Sequence, residues 1–140
     1  MSVLNVINRI LDRRIHEDNM GGWASCIYDF TLHGGAVGDI VLSLDLPSTA
    51  IINYGYVNVL TAPTSAGSAT VAARINGTAD LLGATAIASI TNLNAMVPNW
   101  AVGNMIRLTA DRKLIMTVAV AALTAGRLEF RLRYDVPSKY

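Results

Sequence analysis

The sequence has few charges: charged residues make up 15% of its 140 residues, against about 25% in a typical soluble domain. Its 11 basic and 10 acidic side chains give a net charge of +1, so it lacks the positive field that nucleic-acid binding requires. We expect no nucleic-acid partner. Exposed apolar patches promote aggregation, so a soluble protein with so little charge often covers its surface with partners. Oligomerisation is therefore the leading explanation of the composition.

Cysteine and long apolar runs are also scarce. Cys26 is the only cysteine, which excludes an intrachain disulfide and favours a buried apolar thiol. No run approaches the roughly 18 consecutive apolar residues of a membrane-spanning helix. The N-terminal sequence MSVLNVINRILDRR lacks the order of a secretory signal. We expect a soluble, unexported protein with no membrane partner.

Groups that could carry catalysis are few. His16 and His33 have no Cys, Asp or Glu partners at metal-ligand spacing, and the sequence offers no recognisable Ser/His/Asp set or CxxC motif. The loop GGAVGD (residues 34–39) lacks the GxGxxG pattern and the Lys-Ser/Thr of a phosphate-binding loop, so a hairpin connection is the better interpretation. We predict no enzyme activity, no cofactor and no metal site.

Residues 1–22 are predicted to form an amphipathic arm. On a helical wheel of SVLNVINRILDRRIHED (residues 2–18), the aliphatic side chains fall within an arc of about 180°. This stripe could pack on its own domain, on symmetry mates or on a larger assembly, and we favour the last two. The arginines beside it either contact an acidic surface or form a solvated face. The candidate contact residues of the arm are Val3, Val6, Ile7, Arg9, Ile10, Leu11, Arg13 and Arg14.

In residues 23–140 the hydrophobic period changes to two, which predicts a β-domain. Three hairpins are expected: one around GGAVGD, one pairing IINYGYVNVLTA with SATVAARIN, and one over residues 113–136 with a wet side. About seven short strands separated by turn residues predict an all-β fold, either a jelly-roll-like domain or a two-sheet antiparallel β-sandwich.

Residues 91–104, TNLNAMVPNWAVGN, show no clear period and are expected to form a long loop. Because Trp and Met are enriched at interfaces, this region supplies a candidate contact patch. Alternatively, its tryptophan plugs one end of the sandwich. The patch consists of Met96, Pro98, Trp100 and Met105.

The middle and end of the chain carry a further signal. The strings SAGSATVAARINGTADLLGATAIASI and MIRLTADRKLIMTVAVAALTAGRLEFRLRYDV resemble a small β-domain of tailed-bacteriophage virion structural proteins. The upstream string GDIVLSLDLPSTAIINYGYVNVLTAPT fits as well, so the resemblance covers roughly residues 35–135. The elements that carry it are Gly67-Ser68-Ala69-Thr70, Asp80-Leu81-Leu82, Ala84-Thr85-Ala86, Leu108-Thr109-Ala110 with Leu114, and Ala121-Ala122-Leu123-Thr124-Ala125-Gly126.

The resemblance implies a non-enzymatic virion component. Proteins of this type are similar to head decoration (cement) proteins and to fibre components, which are usually trimers with jelly-roll-like folds. We expect a homotrimeric decoration protein, made in the host cytoplasm, that stabilises the icosahedral head by binding the major capsid protein lattice from outside. The alternative is a receptor-binding or fibre module in which Tyr54, Tyr56 and Trp100 stack on host surface glycans.

Overall fold

Residues 21–137 are described by the structure, a computed structural model, and they form two packed antiparallel sheets. Its helices are short: α1 (Phe30–His33) follows the first strand, and single 3-10 turns occupy Ile87–Ser89 and Val102–Asn104. The strands are β1 (Gly22–Asp29), β2 (Gly38–Leu46), β3 (Ile51–Ser65), β4 (Thr70–Arg74), β5 (Leu82–Ala86), β6 (Leu93–Asn99), β7 (Ile106–Arg107), β8 (Arg112–Ala119) and β9 (Leu123–Asp135).

The sheets have the pairing of a jelly roll. Sheet 1 has the order β1-β9-β3-β6, with the two-residue β7 also paired to β3, and sheet 2 has the order β2-β8-β4-β5. With β7 set aside, the first strand pairs with the last, β2 with β8, β3 with β6 and β4 with β5. One long hairpin folded over into two layers produces this pairing. The predicted all-β, jelly-roll-like sandwich is confirmed.

The core lies between the two sheets and follows from the alternation of side chains along each strand. Leu128, Phe130 and Leu132 of β9 are fully buried, and Leu114 and Met116 of β8 are buried in the opposite sheet. Each such side chain contributes about 1.5–3 kcal/mol through the apolar surface that it removes from water. The period of two along RLEFRLRYDV therefore identified the buried face of this strand correctly.

All three predicted hairpins are wrong, and in the same way. β1 and β2, β3 and β4, and β8 and β9 are consecutive in the chain, but each pair divides its strands between the two sheets. The predicted connector Thr124-Ala125-Gly126 lies inside β9, and the chain crosses at residues 120–122. Period-two alternation shows which face of a strand is buried and does not show which strand lies beside it.

The prediction of a long loop over residues 91–104 is also wrong, because β6 occupies its middle. Met96 and Pro98 of β6 face the core, whereas Leu93 and Val97 are exposed on the outer side. Since both sides of this strand are largely apolar, the sequence shows no alternation. The proline is tolerated because β6 is an edge strand, where a missing N–H need not break a ladder.

The predicted arm lies outside the described residues, so its conformation and the boundary between residues 22 and 23 stay predictions. The arm residues concerned are Val3, Val6, Ile7, Arg9, Ile10, Leu11, Arg13 and Arg14.

Candidate functional site

The outer face of sheet 1 brings aromatic and arginine side chains of several strands together. The strand register sets its rows: Trp23 of β1 and Tyr54 of β3 both pair with Arg133 of β9, and Tyr56 pairs with Arg131 in the next row. The turn after β6 adds one more ring. We call this surface the aromatic–arginine face; it consists of Trp23, Tyr54, Tyr56, Trp100, Arg131 and Arg133.

A bulge in β3 aims its two tyrosines at this surface. Between Ile52 and Tyr54 the strand contains one extra residue, Asn53, which has no partner on β9. The Asn53 side chain is buried, and its Nδ2 donates to Asp135 Oδ2 at 2.6 Å. The bulge shifts the alternation by one position, so that Tyr54 and Tyr56 both lie on the outer face.

The four rings form one continuous cluster. Tyr54 stacks on Trp100 with ring centroids 5.5 Å apart and an interplanar angle of 22°. Trp23 approaches Tyr54 and Tyr56 edge-on at 6.2 and 6.3 Å. Contacts of this kind contribute about 0.5–1.5 kcal/mol each beyond their burial. The cluster is still open to solvent, because Trp23 and Trp100 are 50% and 54% exposed.

The backbone of Trp100 is held in an unusual conformation. Its φ of 71° lies in the left-handed region, which large side chains rarely adopt and which costs on the order of 1–3 kcal/mol. The Trp100 N–H donates to the Asn53 carbonyl at 2.6 Å. Asn99 Oδ1 accepts from Ala101 N–H at 3.3 Å and from Asn104 Nδ2 at 3.0 Å, which fixes the turn. The fold thus sustains backbone strain while presenting an exposed tryptophan beside Tyr54.

The two arginines of the face differ in their partners. Arg133 forms an ion pair with Asp135 at 2.9 Å. Arg131 lies over the Trp23 ring, with its guanidinium carbon 5.3 Å from the ring centroid, a cation–π contact. Within residues 21–137, Arg131 forms no ion pair, and its buried Nε has no hydrogen-bond acceptor. Since this Nε is buried, a partner would be bound by the terminal guanidinium nitrogens of Arg131, which form no ion pair within this part of the chain.

This composition suits contact with a macromolecule. Trp, Tyr and Arg are the residues most enriched among interface hot spots, where rigid rings surrounded by apolar contacts exclude water. Leu93 and Val97 of β6 extend the surface on one side and are 60% and 44% exposed. The face is an open strand surface, which can bury a broad area against a second protein.

The predicted contact patch is only partly on the surface. Met96 and Pro98 are buried, Met105 is half-buried, and Trp100 is the member that joins the aromatic–arginine face. Met96 supports this face from inside, because a Cβ on Gly55 would lie 3.0 Å from its sulfur. The alternative, in which Trp100 plugs an end of the sandwich, is wrong because the ring is about half exposed.

Sequence reasoning missed Trp23 and Arg131 as parts of a common site. The alternation along β9 had already placed Arg131 on the wet side of its strand. What was lacking was the register that sets Arg131 between Ser25 and Tyr56, with Trp23 diagonally adjacent. Arg131 is 75 residues from Tyr56 and 108 residues from Trp23 in the sequence, so no local pattern links these positions.

The histidine and the cysteine of the described residues have structural surroundings. His33 Nδ1 accepts from Asp29 N–H at 3.1 Å. Desolvation raises the pKa of the buried Cys26 thiol to about 12, which keeps it protonated and unreactive at neutral pH. No group of three His, Cys, Asp or Glu residues within 21–137 could hold a metal ion. No helix in this part of the chain is long and apolar enough to cross a membrane.

An open depression lies at the edge of sheet 2, where β2 meets β8. Asp45 and Asp111 are two of its lining residues. Both carboxylates already have partners: Asp45 pairs with Lys113 at 3.0 Å, and Asp111 accepts from Ser48 N–H at 2.7 Å.

Comparison with known proteins shows likeness at the level of structure. No family model and no curated protein matches the chain. A chain of the acid-stable capsid structure of Helicobacter pylori bacteriophage KHP30 is 16% identical, with a TM-score of 0.62 over 85% of this chain and 90% of its own length. A chain of the cyanophage Pam1 capsid is 16% identical, with a TM-score of 0.60 over 84% and 87%. A chain of the Ralstonia phage GP4 capsid is also 16% identical, with a TM-score of 0.57 over 87% and 89%.

These matches show a common fold. Chains in three phage capsids share this jelly roll over most of their length, so the resemblance to phage virion β-domains is confirmed as a likeness of fold. In each match, the aligned fraction of this chain is nearly equal to the aligned fraction of the capsid chain. The matched chains are therefore about as long as this one.

Proposed function

We propose that the protein is a structural component of a phage virion, a decoration protein that binds the outside of the icosahedral head as a homotrimer and catalyses no reaction. The observation that carries this proposal is the jelly roll shared, over nearly the whole length of both partners, with chains of three phage capsids. The partner is then the lattice of the major capsid protein.

The aromatic–arginine face is the proposed contact with the lattice. Trp23 is the second residue of β1, which begins at Gly22, so the predicted arm is connected to the domain next to this face. The arm residues supply apolar and arginine contacts, and the face supplies Trp23, Trp100 and Arg131. Stable interfaces of this class bury about 2,000 Å² or more in total, which two adjoining surfaces provide better than one.

Trimerisation makes this binding strong through linked contacts. Three faces and three arms act together, and linkage multiplies apparent affinity by about 10² to 10⁴ where the geometry permits simultaneous engagement. A ligand that binds only the assembled lattice stabilises that state by mass action. The protein then strengthens the shell without any chemical step.

A second candidate function has one observation in its favour. Tyr54, Tyr56 and Trp100 converge on a single exposed surface, as stacking on a host glycan would require. However, Trp100 already stacks on Tyr54, and Arg131 lies over Trp23, so several ring faces are occupied within the protein. We therefore prefer a protein partner for this surface.

The test is addition of purified protein to heads that lack it. Saturable binding with a copy number tied to the lattice positions is expected. Trp23→Ala and Arg131→Ala should each weaken head binding about tenfold or more, as loss of an interface hot spot does. Ser43→Ala, at an exposed position on sheet 2, is the matched control and should bind like the wild type.

The competing outcomes are distinct. Adhesion to host cells or glycans without binding to heads would replace this proposal with the receptor-binding function. A variant lacking residues 2–20 should still trimerise but bind heads poorly. Undiminished head binding by that variant would show that the arm is not a lattice contact.

A further inference from the structure

One end of the sandwich is built from four connections that touch one another. They are the crossings between β1 and β2, β3 and β4, β5 and β6, and β8 and β9, at residues 30–37, 66–69, 87–92 and 120–122. Leu123 N–H donates to the Gly35 carbonyl at 2.7 Å, and Ile87 N–H donates to the Ala69 carbonyl at 3.2 Å. A Cβ on Gly67 would lie 2.9 Å from the Ala121 Cβ, so the connections 66–69 and 120–122 are also in close contact.

The connections at this end carry no formal charge. They contain no Asp, Glu, Lys or Arg, and His33 is their one titratable side chain. The adjoining strand ends carry Asp29, which pairs with Arg127 at 3.6 Å, and Asp39, which pairs with Arg74 at 2.7 Å. We call this surface the uncharged end.

The opposite end, which we call the charged end, is different. It consists of the connections 47–50, 75–81 and 100–111 with the adjoining strand ends. Its connections contain Asp80, Arg107 and Asp111. The adjoining strand ends add Asp45, Arg74, Arg112, Lys113, Arg133 and Asp135.

The uncharged end also exposes large apolar side chains. Leu32, Val37 and Val120 are 80%, 58% and 73% exposed. Val120 has a φ of 72°, a conformation that is strained for a β-branched residue. Exposed valine in a strained turn stabilises nothing within the chain itself, so these features indicate a surface that a partner covers.

We propose that the uncharged end is the self-association surface, occupied by the same end of a second copy of this chain. Residues of a surface that lie close to a rotation axis come next to their own copies in the neighbouring subunits, so a charge placed there meets a like charge. The connections of the uncharged end contain no charge that could take part in this repulsion. The aromatic–arginine face would instead set arginine against arginine, which suits a different partner.

The size of this surface and its position in the fold are consistent with contact to a second copy of this chain. The four connections contain 21 residues, close to the roughly 20–30 that each partner contributes to a standard interface. The chain enters the described structure at Gly21, at the charged end, so the segment before it does not begin beside this surface. Self-association at one end leaves the aromatic–arginine face and the start of β1 free for another contact.

This inference rests on the proposed homotrimer and is tested in solution, without heads. Sedimentation velocity and native mass spectrometry of the full chain at micromolar concentration should show an oligomer. Val120→Asp and Val37→Asp should each weaken self-association about tenfold or more, because each sets like charges face to face. Asp tolerates the left-handed backbone of position 120, so the first variant should fold.

The matched control is Val102→Asp. Val102 is 83% exposed and lies in the connection 100–111 at the charged end, so the same substitution there should leave the oligomer intact. Circular dichroism and thermal melting should show the native fold in all three variants. If the Val120→Asp variant failed to fold, Val37→Asp would by itself test whether this end mediates self-association.

Either of two results would overturn the inference: a wild type that is monomeric, or an oligomer that survives both substitutions. Failure of the proposed function has a separate signature. In that case the wild type forms the oligomer, the two variants lose it, and none of them adds to heads.

Discussion

The two ends of the sandwich are built by the same topology but held by different interactions. At the charged end, Asp80 accepts hydrogen bonds from the N–H groups of Ile75, Asn76 and Gly77 at 2.8, 3.0 and 2.6 Å. At the uncharged end one carboxylate, Asp29, holds Thr31 at the edge, and the links between connections are neutral, such as Ser65 Oγ donating to the Ala122 carbonyl at 2.7 Å. Carboxylate anchors are stronger but must stay near water, whereas neutral links leave a surface that can be covered at little cost in desolvation.

The two ends of the sandwich differ most at Asp80 of the charged end, where the largest effect of a substitution on stability is expected. Asp80→Ala leaves three backbone N–H groups without their acceptor and should lower the free energy of unfolding by about 3 kcal/mol, as loss of hydrogen bonds to a charged group does. Urea denaturation measures this change. Asp45→Ala, which removes an exposed ion pair at the same end, should cost less than about 1 kcal/mol. Equal effects of the two substitutions would contradict the anchoring role of Asp80.

The uncharged end should be most sensitive to packing of its backbone. A Cβ on Gly35 would overlap the Leu123 carbonyl oxygen and lie 2.8 Å from the carbonyl carbon. Gly35→Ala should therefore lower the free energy of unfolding by about 1–3 kcal/mol through overpacking. Gly83→Ala is the control, because a Cβ there meets nothing within 4 Å. Thermal melting of both variants tests the prediction, and a neutral Gly35→Ala would refute it.

Val120→Gly should separate stability from association. Glycine removes the strain of a φ of 72° and should raise the free energy of unfolding of the monomeric unit by up to about 1 kcal/mol. It also removes an exposed apolar side chain, so self-association should weaken. Denaturation and sedimentation of the same sample measure the two effects. A variant that both melts lower and associates more tightly would contradict the assignment of this residue.

The smallest expected effect is one of pH, at the boundary of the uncharged end. Hydrogen bonds from the Thr31 hydroxyl and N–H lower the pKa of Asp29 below its ordinary value of 3.8. The Asp29 carboxylate therefore contributes its full stabilisation above the pKa that it has in the unfolded chain. This stabilisation is lost as the pH falls through the lower pKa of the folded state. Below about pH 4, the free energy of unfolding should fall less with decreasing pH in Asp29→Asn than in the wild type. Identical acid profiles would show that this carboxylate contributes nothing.

Much of the fold followed from local pattern. The alternation of Leu128, Phe130 and Leu132 with Arg127 and Arg131 gave the buried and wet faces of β9 correctly. The sequence also indicated two layers, because many short strands of this length must bury one face each. It failed where both faces of a strand were apolar, as in β6, since no period is then visible.

The candidate site was predictable only in part. Trp100 was identified from its residue type, and the convergence of Tyr54 with Trp100 was left open. Trp23 and Arg131 were missed as members of the site because strand order joins them to the tyrosines. The bulge at Asn53, which aims Tyr54 outward, has no signal in the composition of the strand.

The sequence by itself determined the strand periods, the buried sides of most strands, the shortage of charge and the buried thiol of Cys26, because these depend on neighbours a few residues apart. Only the tertiary structure decided which strands pair, which rings meet and where the charges lie. Each consecutive pair that looked like a hairpin divides its strands between the two sheets, and that choice depends on closing the core as a whole. The same choice gathers four uncharged connections at one end and leaves the charged ones at the other.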